Sequence, residues 1–385
     1  MIYLDNAAST KISGEVLEEM LPYLKEQFGN PSSIHRYGRL AQKAIEKARK
    51  QVAKLINADP SEILFTSGGT ESNNTALFGV ATKNQTSKII TSCIEHDAIL
   101  EPCKRLENQG IEIIYLPVDL FGLVNPSILM EKISENTSLV SIMMGNNEVG
   151  TIEPISELVK ICNERNVPFH TDAVQAAGKV PIDVKELKVD LLSLSSHKIN
   201  GPKGIGALYI RNGLKINPVI FGGGQEGGLR SGTENVANIV GFGKACELAK
   251  TNFDENTSKM KKLQNYLSKK ILEEIPGVTL NGHPEKRLPN NIHLTILGVN
   301  GEDLLIKLDE NGIAASTGSA CSVHTQKASH VLKAMGFSHE QITGSLRLTV
   351  GISNTIEEME KTVEVLKNVV KELRTFSPYK EKYSF

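Results

Sequence analysis

The sharpest chemical feature of the chain is a lysine set among hydroxyl, imidazole and glycine neighbours: Lys198 in SSHKINGPKG, Ser195 to Gly204. An amine that must condense with an aldehyde has to be available as the free base, which a desolvated, partly cationic niche promotes. His197 and Lys203 bring positive charge nearby, Ser195 offers a hydroxyl to a phosphate, and Gly201 and Gly204 allow close backbone approach. These are the requirements of a lysine that holds pyridoxal phosphate. A surface turn with two lysines has the same composition, so the rest of the chain must decide.

SGGTESNN, Ser67 to Asn74, follows an expected strand and opens an expected helix. Free amides and the positive end of a helix dipole there suit an anion, and the same residue types also simply cap helices. In HTDAVQAAGK, His170 to Lys179, Asp172 falls just after a buried-looking strand. A carboxylate at that place can keep a pyridinium nitrogen protonated and the ring an electron sink, or it can cap a helix. Gln175 could donate to the ring's phenolate oxygen. His96, in TSCIEHDAIL, stands at another strand-to-helix junction, where an imidazole can stack on a ring, move a proton, or serve structure alone.

Of the five cysteines, Cys93, Cys103, Cys162 and Cys246 read as packing residues, and no pair has Cys-x-x-Cys spacing, which argues against a structural zinc site or a disulfide framework. Cys321 differs. It lies in AASTGSACS, a run of small residues without apolar periodicity, as expected of a loop that gives a thiol access and room to travel. His324 could lower its pKa or relay a proton, and a small buried packing cysteine is the other reading. Arg347, in GSLRLTVG, is placed in a short strand where a fixed guanidinium can grip a carboxylate through two hydrogen bonds, or form an ordinary surface ion pair. Asn147, in NNEVG, could share that carboxylate.

The elements that must position these groups follow from periodicity. Short apolar runs at 63–65, 89–91, 113–116, 139–143, 167–170, 191–194 and 207–210 alternate with amphipathic stretches such as 40–56, where Ile45, Ala48, Val52 and Leu55 recur at helical spacing. That alternation predicts an α/β fold, a mostly parallel sheet flanked by helices, with active sites at the carboxyl ends of the strands. The polar stretch Lys250 to Ser258 reads as a hinge into a second unit. That unit opens with a helix lined by Met260, Leu263, Leu267 and Ile271, and closes with one lined by Met359, Val363, Leu366, Val370 and Leu373. With 385 residues, two or three domains are expected at roughly 150 residues each. The balance of 43 basic and 44 acidic residues gives no global attraction for nucleic acid or an anionic membrane. No apolar run approaches the roughly 20 residues that span a bilayer and no secretory signal opens the chain, so a cytoplasmic protein is expected.

Taken in order, SGGTESNN, EHDAIL, NNEVGTIEPI, HTDAVQAAGK, SSHKINGPKGIGALY, LRSGTENV, STGSACS and GSLRLTVG resemble a cysteine desulfurase of the NifS/IscS type. That family is a branch of the class-V aminotransferases among the fold-type I pyridoxal-phosphate enzymes. The resemblance runs from Tyr3 to Pro378; Met143 to Gly145 and Ser322 to His324 depart from the family pattern without touching an assigned residue. It implies a large cofactor domain over 13–252, a smaller α+β domain over 253–385 joined by the segment 1–12, and a homodimer whose second subunit completes each site.

By the same resemblance Lys198 binds the cofactor aldehyde, His96 stacks on the ring as acid/base, Asp172 meets the pyridinium and Gln175 the phenolate oxygen. Gly69, Thr70, Ser195 and His197 hold the phosphate, and Thr233, in RSGT, reaches the phosphate of the partner subunit. Asn147 and Arg347 bind the carboxylate of L-cysteine, and Cys321 is the nucleophile that accepts sulfur. The implied products are L-alanine and a persulfide passed to an acceptor protein, either an iron-sulfur scaffold or a thiolation enzyme, with no metal beyond a transient iron-sulfur ligation by Cys321. The alternatives are a selenocysteine lyase or related enzyme of the same cofactor and, from another class, a non-catalytic platform for partner proteins.

Overall fold

The computed structural model describes residues 1–81, 87–318 and 328–377. The chain opens with β1 (Ile2–Tyr3), α1 (Gly14–Lys25), α2 (Arg36–Leu55) and β2 (Ile63–Thr66). Helix and strand then alternate through α3 (Gly69–Ala81), β3 (Lys88–Ser92), α4 (Asp97–Glu107), β4 (Glu112–Leu116), α5 (Pro126–Lys132), β5 (Thr137–Ser141), α6 (Ile155–Glu164), β6 (Phe169–Asp172), α7 (Val184–Leu187), β7 (Leu191–Ser195) and β8 (Gly206–Ile210). The rest comprises α8 (Val236–Thr251), α9 (Phe253–Glu274), β9 (Val278–Asn281), β10 (Asn291–Ile296), α10 (Gly301–Glu310) and β11 (Ile313–Ala314). After the undescribed residues come α11 (His330–Ala334), α12 (His339–Thr343), β12 (Ser345–Thr349) and α13 (Ile356–Thr375).

Seven strands form the main sheet in the order β2-β8-β7-β6-β5-β3-β4. All run the same way except β8, which is antiparallel to both neighbours. The reversal follows from chain length. Only residues 196–205 join β7 to β8, whereas a parallel crossover takes about a dozen residues or more. The expected helical face of α2 is buried, Ile45, Ala48, Val52 and Leu55 included. The chain then turns out through Asn57 in the left-handed region, φ 58°.

A second, three-stranded antiparallel sheet, β12-β10-β9, has its own core with α9, α10 and α13. Met260, Leu263, Leu267 and Ile271 are buried on α9, and Met359, Val363, Leu366 and Val370 on α13. Leu373 is only partly buried at the rim. The polar stretch 250–258 is helical on both sides of Asn252, because its polar residues lie on exposed helix surface. The start of the chain joins this second core: β1 pairs parallel with β11, Asp5 bridges Thr349, and Leu4 is wholly buried. Burying that leucine is worth about 2 kcal/mol. Among the described residues no helix is long and apolar enough to cross a membrane.

Candidate active site

Because β2, β3, β5, β6 and β7 share one direction, the segments that follow them emerge at one edge of the sheet. Close approach there is arranged by Gly206, which starts β8 opposite both Thr66 and Ser195. A Cβ at this position would stand 2.5 Å from the Leu194 carbonyl oxygen and 2.8 Å from the Gly68 backbone. Glycine therefore lets the β2–α3 turn lie against the sheet.

That turn, the turn after β7 and the Ala8–Ser9 backbone enclose a pocket of about 340 Å³, lined by Gly69, Thr70, Ser195, His197 and Lys203. The amino end of α3 opens on it with its unbonded amides and positive dipole end. A Cβ at Gly69 would meet Val174 Cγ2 at 2.8 Å, so a side chain there would force Val174 to shift. His197 Nδ1 lies 3.2 Å from Ser9 Oγ. Burial, then the charges of Lys198, Lys203 and Lys179, lower His197 to about 4, so its ring is neutral at pH 7.

Lys198 ends the short turn after β7, and its Nζ donates to the carbonyl oxygens of Ala7 at 2.6 Å and Ala8 at 2.8 Å. Gln175 Nε2 donates to the same Ala7 oxygen at 2.9 Å. The first residues of the chain thus lie against both groups. Asp172 is buried at the end of β6, held from two sides: Oδ1 accepts from Val174 N at 2.9 Å and Oδ2 from Asn73 Nδ2 at 2.6 Å. Residues 174–179 form turns and no helix starts there, so the bond to Val174 N closes a turn and Asp172 caps no helix. His96 caps α4, its Nδ1 accepting from Ala98 N at 3.0 Å, which leaves the proton of the neutral ring on Nε2.

Arg347 on β12 is 2% exposed. Nη2 donates to Asp5 Oδ1 at 2.9 Å, and Nη1 to the carbonyls of Asn147 at 2.9 Å and Gly318 at 2.8 Å. The ion pair is therefore real but interior, not on the surface, and Asn147 meets the guanidinium through its backbone. Arg347 Nε is buried with no partner among the described residues. Beside it Glu148 is raised by burial, against the pull of the Ser329 hydroxyl, which donates to Oε2 at 2.5 Å, and of the His330 and Arg347 charges.

Cys321 and His324 lie outside the described residues, so the expected nucleophile, its histidine and any iron-sulfur ligation have no structural account. The chain is held near both ends of that segment, Gly318 by Arg347 and Ser329 by Glu148. Thr233 is exposed. Its segment is pinned where Arg230 Nε donates to Glu71 Oε1 at 2.9 Å. Burial pushes Glu71 up, and the bonds from Arg230 and Ser67 outweigh it, holding the carboxyl below its ordinary value.

Sequence reasoning missed Asp5, Asn73, Glu148 and the Ala7 and Ala8 carbonyls. Asn73 and Glu148 sit inside the motifs singled out above, so proximity was their signal; backbone carbonyls carry none.

A family model described as aminotransferase class-V matches residues 2–362, and the chain belongs to that family. It is 52% identical over 384 residues to a cysteine desulfurase IscS of Dictyoglomus turgidum, covering 99% of this chain and 98% of the relative. To a cysteine desulfurase IscS of Methanosarcina thermophila it is 52% identical over 98% of this chain and 94% of that one. A solved NifS-like protein superposes with a TM-score of 0.91 at 40% identity, covering 96% of this chain and 99% of that chain. A structure of SspA in complex with cysteine gives 0.83 at 38%, covering 92% and 100%. These matches put the chain among the cysteine desulfurases of the NifS/IscS type, pyridoxal-phosphate enzymes with an α/β fold, as the resemblance implies. The residues present fit that cofactor: an anion pocket at the amino end of α3, a buried carboxylate fixed by two donors, and a lysine whose Nζ lies on the Ala8 backbone that lines the pocket.

Proposed function

We propose that this protein breaks the carbon–sulfur bond of L-cysteine, releases L-alanine and takes the sulfur onto Cys321 as a persulfide for delivery to an acceptor protein. One observation carries this reading. The anion pocket, Asp172 and Lys198 converge at one sheet edge, and Arg347 is bonded to Gly318, which leads into the Cys321 segment.

Gly69, Thr70, Ser195 and His197 would hold the cofactor phosphate, Asp172 the pyridine nitrogen and Gln175 the ring oxygen, with His96 against the ring face. When bound, pyridoxal phosphate supplies an electron sink for charge developing at the substrate Cα. Asn73 and the Val174 amide keep the Asp172 carboxylate aimed. Lys198 Nζ, as a free amine, would take the substrate Cα proton. Arg347 grips the substrate carboxylate with Asn147 beside it, its Nε having no partner among the described residues. Cys321 attacks the substrate sulfur as the thiolate.

The exposed Thr233, and the exposed apolar Phe28, Ile34 and Tyr37, support a homodimer in which Thr233 reaches the partner subunit's phosphate. The two cores support a division into a cofactor domain, 13–252, and a smaller one, 253–385, joined by 1–12. The acceptor is an iron-sulfur scaffold or a thiolation enzyme. The test is to follow alanine and sulfide from L-cysteine with a thiol reductant. Cys321→Ser keeps the visible colour and stops turnover, while Lys198→Ala loses the covalent bond to the cofactor. Alanine release at the wild-type rate by Cys321→Ser rules out the persulfide route.

A further inference from the structure

The reaction just described leaves a second lysine unused. Lys179 ends the HTDAVQAAGK run, is 6% exposed, and its Nζ donates to the backbone carbonyl oxygen of Lys198 at 3.3 Å. A cavity of about 120 Å³ beside it is walled by Lys179, Lys198, Asn6, Asn252, Asn290 and Gly351. From α8 and α9 the same wall receives Ala245, Leu248, Ala249 and Met260, none of them charged. Glu15, at the start of α1, is its one carboxylate. Lys198 is the charge that acts on Lys179, and His197, lowered by burial and by Lys198, Lys203 and Lys179, stays neutral beside them.

Among the described residues no carboxylate is bonded to Lys179. Burial, then the charge of Lys198, brings it down to about 7. An apolar side chain would fill this place without the desolvation that an ammonium suffers. What the amine adds is its bond to the Lys198 backbone and its charge, and Coulomb interaction is mutual: the repulsion Lys198 exerts on Lys179 is returned in full.

We propose that Lys179 is a positioning residue for Lys198, holding the turn that aims its Nζ and disfavouring a second positive charge there. The inference rests on the reading above, that Lys198 carries the cofactor.

Three variants separate the two contributions. Lys179→Met removes donor and charge, Lys179→Gln keeps a donor for the carbonyl, and Lys179→Arg keeps both, with the adjoining cavity to take its bulk. The first readout is a pH titration of the holoenzyme's visible band, whose midpoint reports protonation at the nitrogen joining Lys198 to the cofactor. The second is acetylation of Lys198 in the apoprotein at pH 6.5 by acetic anhydride, read by peptide mass spectrometry.

Met and Gln should move the midpoint up by about one unit and slow Lys198 acetylation about fivefold, and Arg should restore both. Superimposable titrations and equal acetylation across wild type and all three variants overturn the proposal. Should Met fail to fold by circular dichroism, Gln and Arg decide: Gln shifted with Arg unshifted supports it, and the two alike overturns it. A Lys198→Ala protein that keeps the wild-type band defeats the cofactor reading instead, and the apoprotein acetylation series then judges the coupling between the two lysines by itself.

Discussion

The turn after β7 and the turn after β5 bury shifted titratable groups of opposite kinds. Around Lys198 the buried groups are bases, and Lys179 and His197 are lowered to about 7 and 4. Around the turn after β5 they are acids, with Glu95 and Glu153 pushed up to about 8 by burial and Glu148 raised as well, while toward β12 a buried base returns, His293 opposite Arg347, lowered to about 3. Desolvation drives both sets toward their neutral forms. Partnering separates them: Arg347 has Asp5 bonded to it and Glu71 has Arg230, whereas among the described residues Lys179 and Glu95 have no opposite charge bonded.

The sharpest way to break this contrast is Arg347→Ala. It leaves Asp5 and the Gly318 and Asn147 carbonyls without their donor, at a cost of about 3–5 kcal/mol in urea unfolding, and lowers kcat/KM by about a hundredfold or more. A variant that unfolds like the wild type would show that the pair holds nothing. Arg347→Lys should rescue little, because an ammonium cannot reproduce the fork that reaches Asp5 and two carbonyls together.

Asn73→Ala is a smaller cut on the cofactor side. Removing the donor to Asp172 Oδ2 forfeits a hydrogen bond to a charged group, about 1.5–3 kcal/mol, so kcat should fall roughly ten- to a hundredfold with KM little changed. Unchanged kcat would mean the Val174 amide alone orients the carboxylate.

The smallest expected effect sharpens the acidic side. Glu153 has a folded value above its unfolded one, so the native state binds the extra proton. Its contribution is complete below about pH 4.5 and is lost as pH rises through about 8. Glu153→Gln keeps an oxygen for the Val124 amide and removes the ionisation. It should raise Tm by a few degrees at pH 8.5 and leave it unchanged at pH 5. An equal change at both values would point to packing instead of charge.

Much of this was legible from residue order. The strands that end near Thr66, Asp172 and Ser195 are apolar runs bounded by Gly, Ser and Asp, so local pattern marks both the strand and the edge where chemistry gathers. The reversal of β8 was also available, since too few residues separate it from β7 for a crossover. Partners distant in sequence were not legible. Asp5 stands 342 positions from Arg347, and Asn73 stands 99 from Asp172, so only the fold brings them together. Nor could composition show that Lys250 to Ser258 is helix, because polar residues on an exposed helical surface and in a linker are the same residues.

The opening residues have a consequence for how the molecule is made. Leu4 and Asp5 dock on β11 and β12, and Ala7 and Ala8 contact Lys198. Leu4 and Asp5 therefore leave the ribosome long before residues 313–349, on which they dock, are made. At about 5–20 residues per second, they wait roughly 20–70 s for position 349 to emerge. The seven-stranded layer can fold meanwhile and take residues 7–13, which bond to Gln175, His197 and Asn200, while Leu4 and Asp5 still lack the strands they dock on.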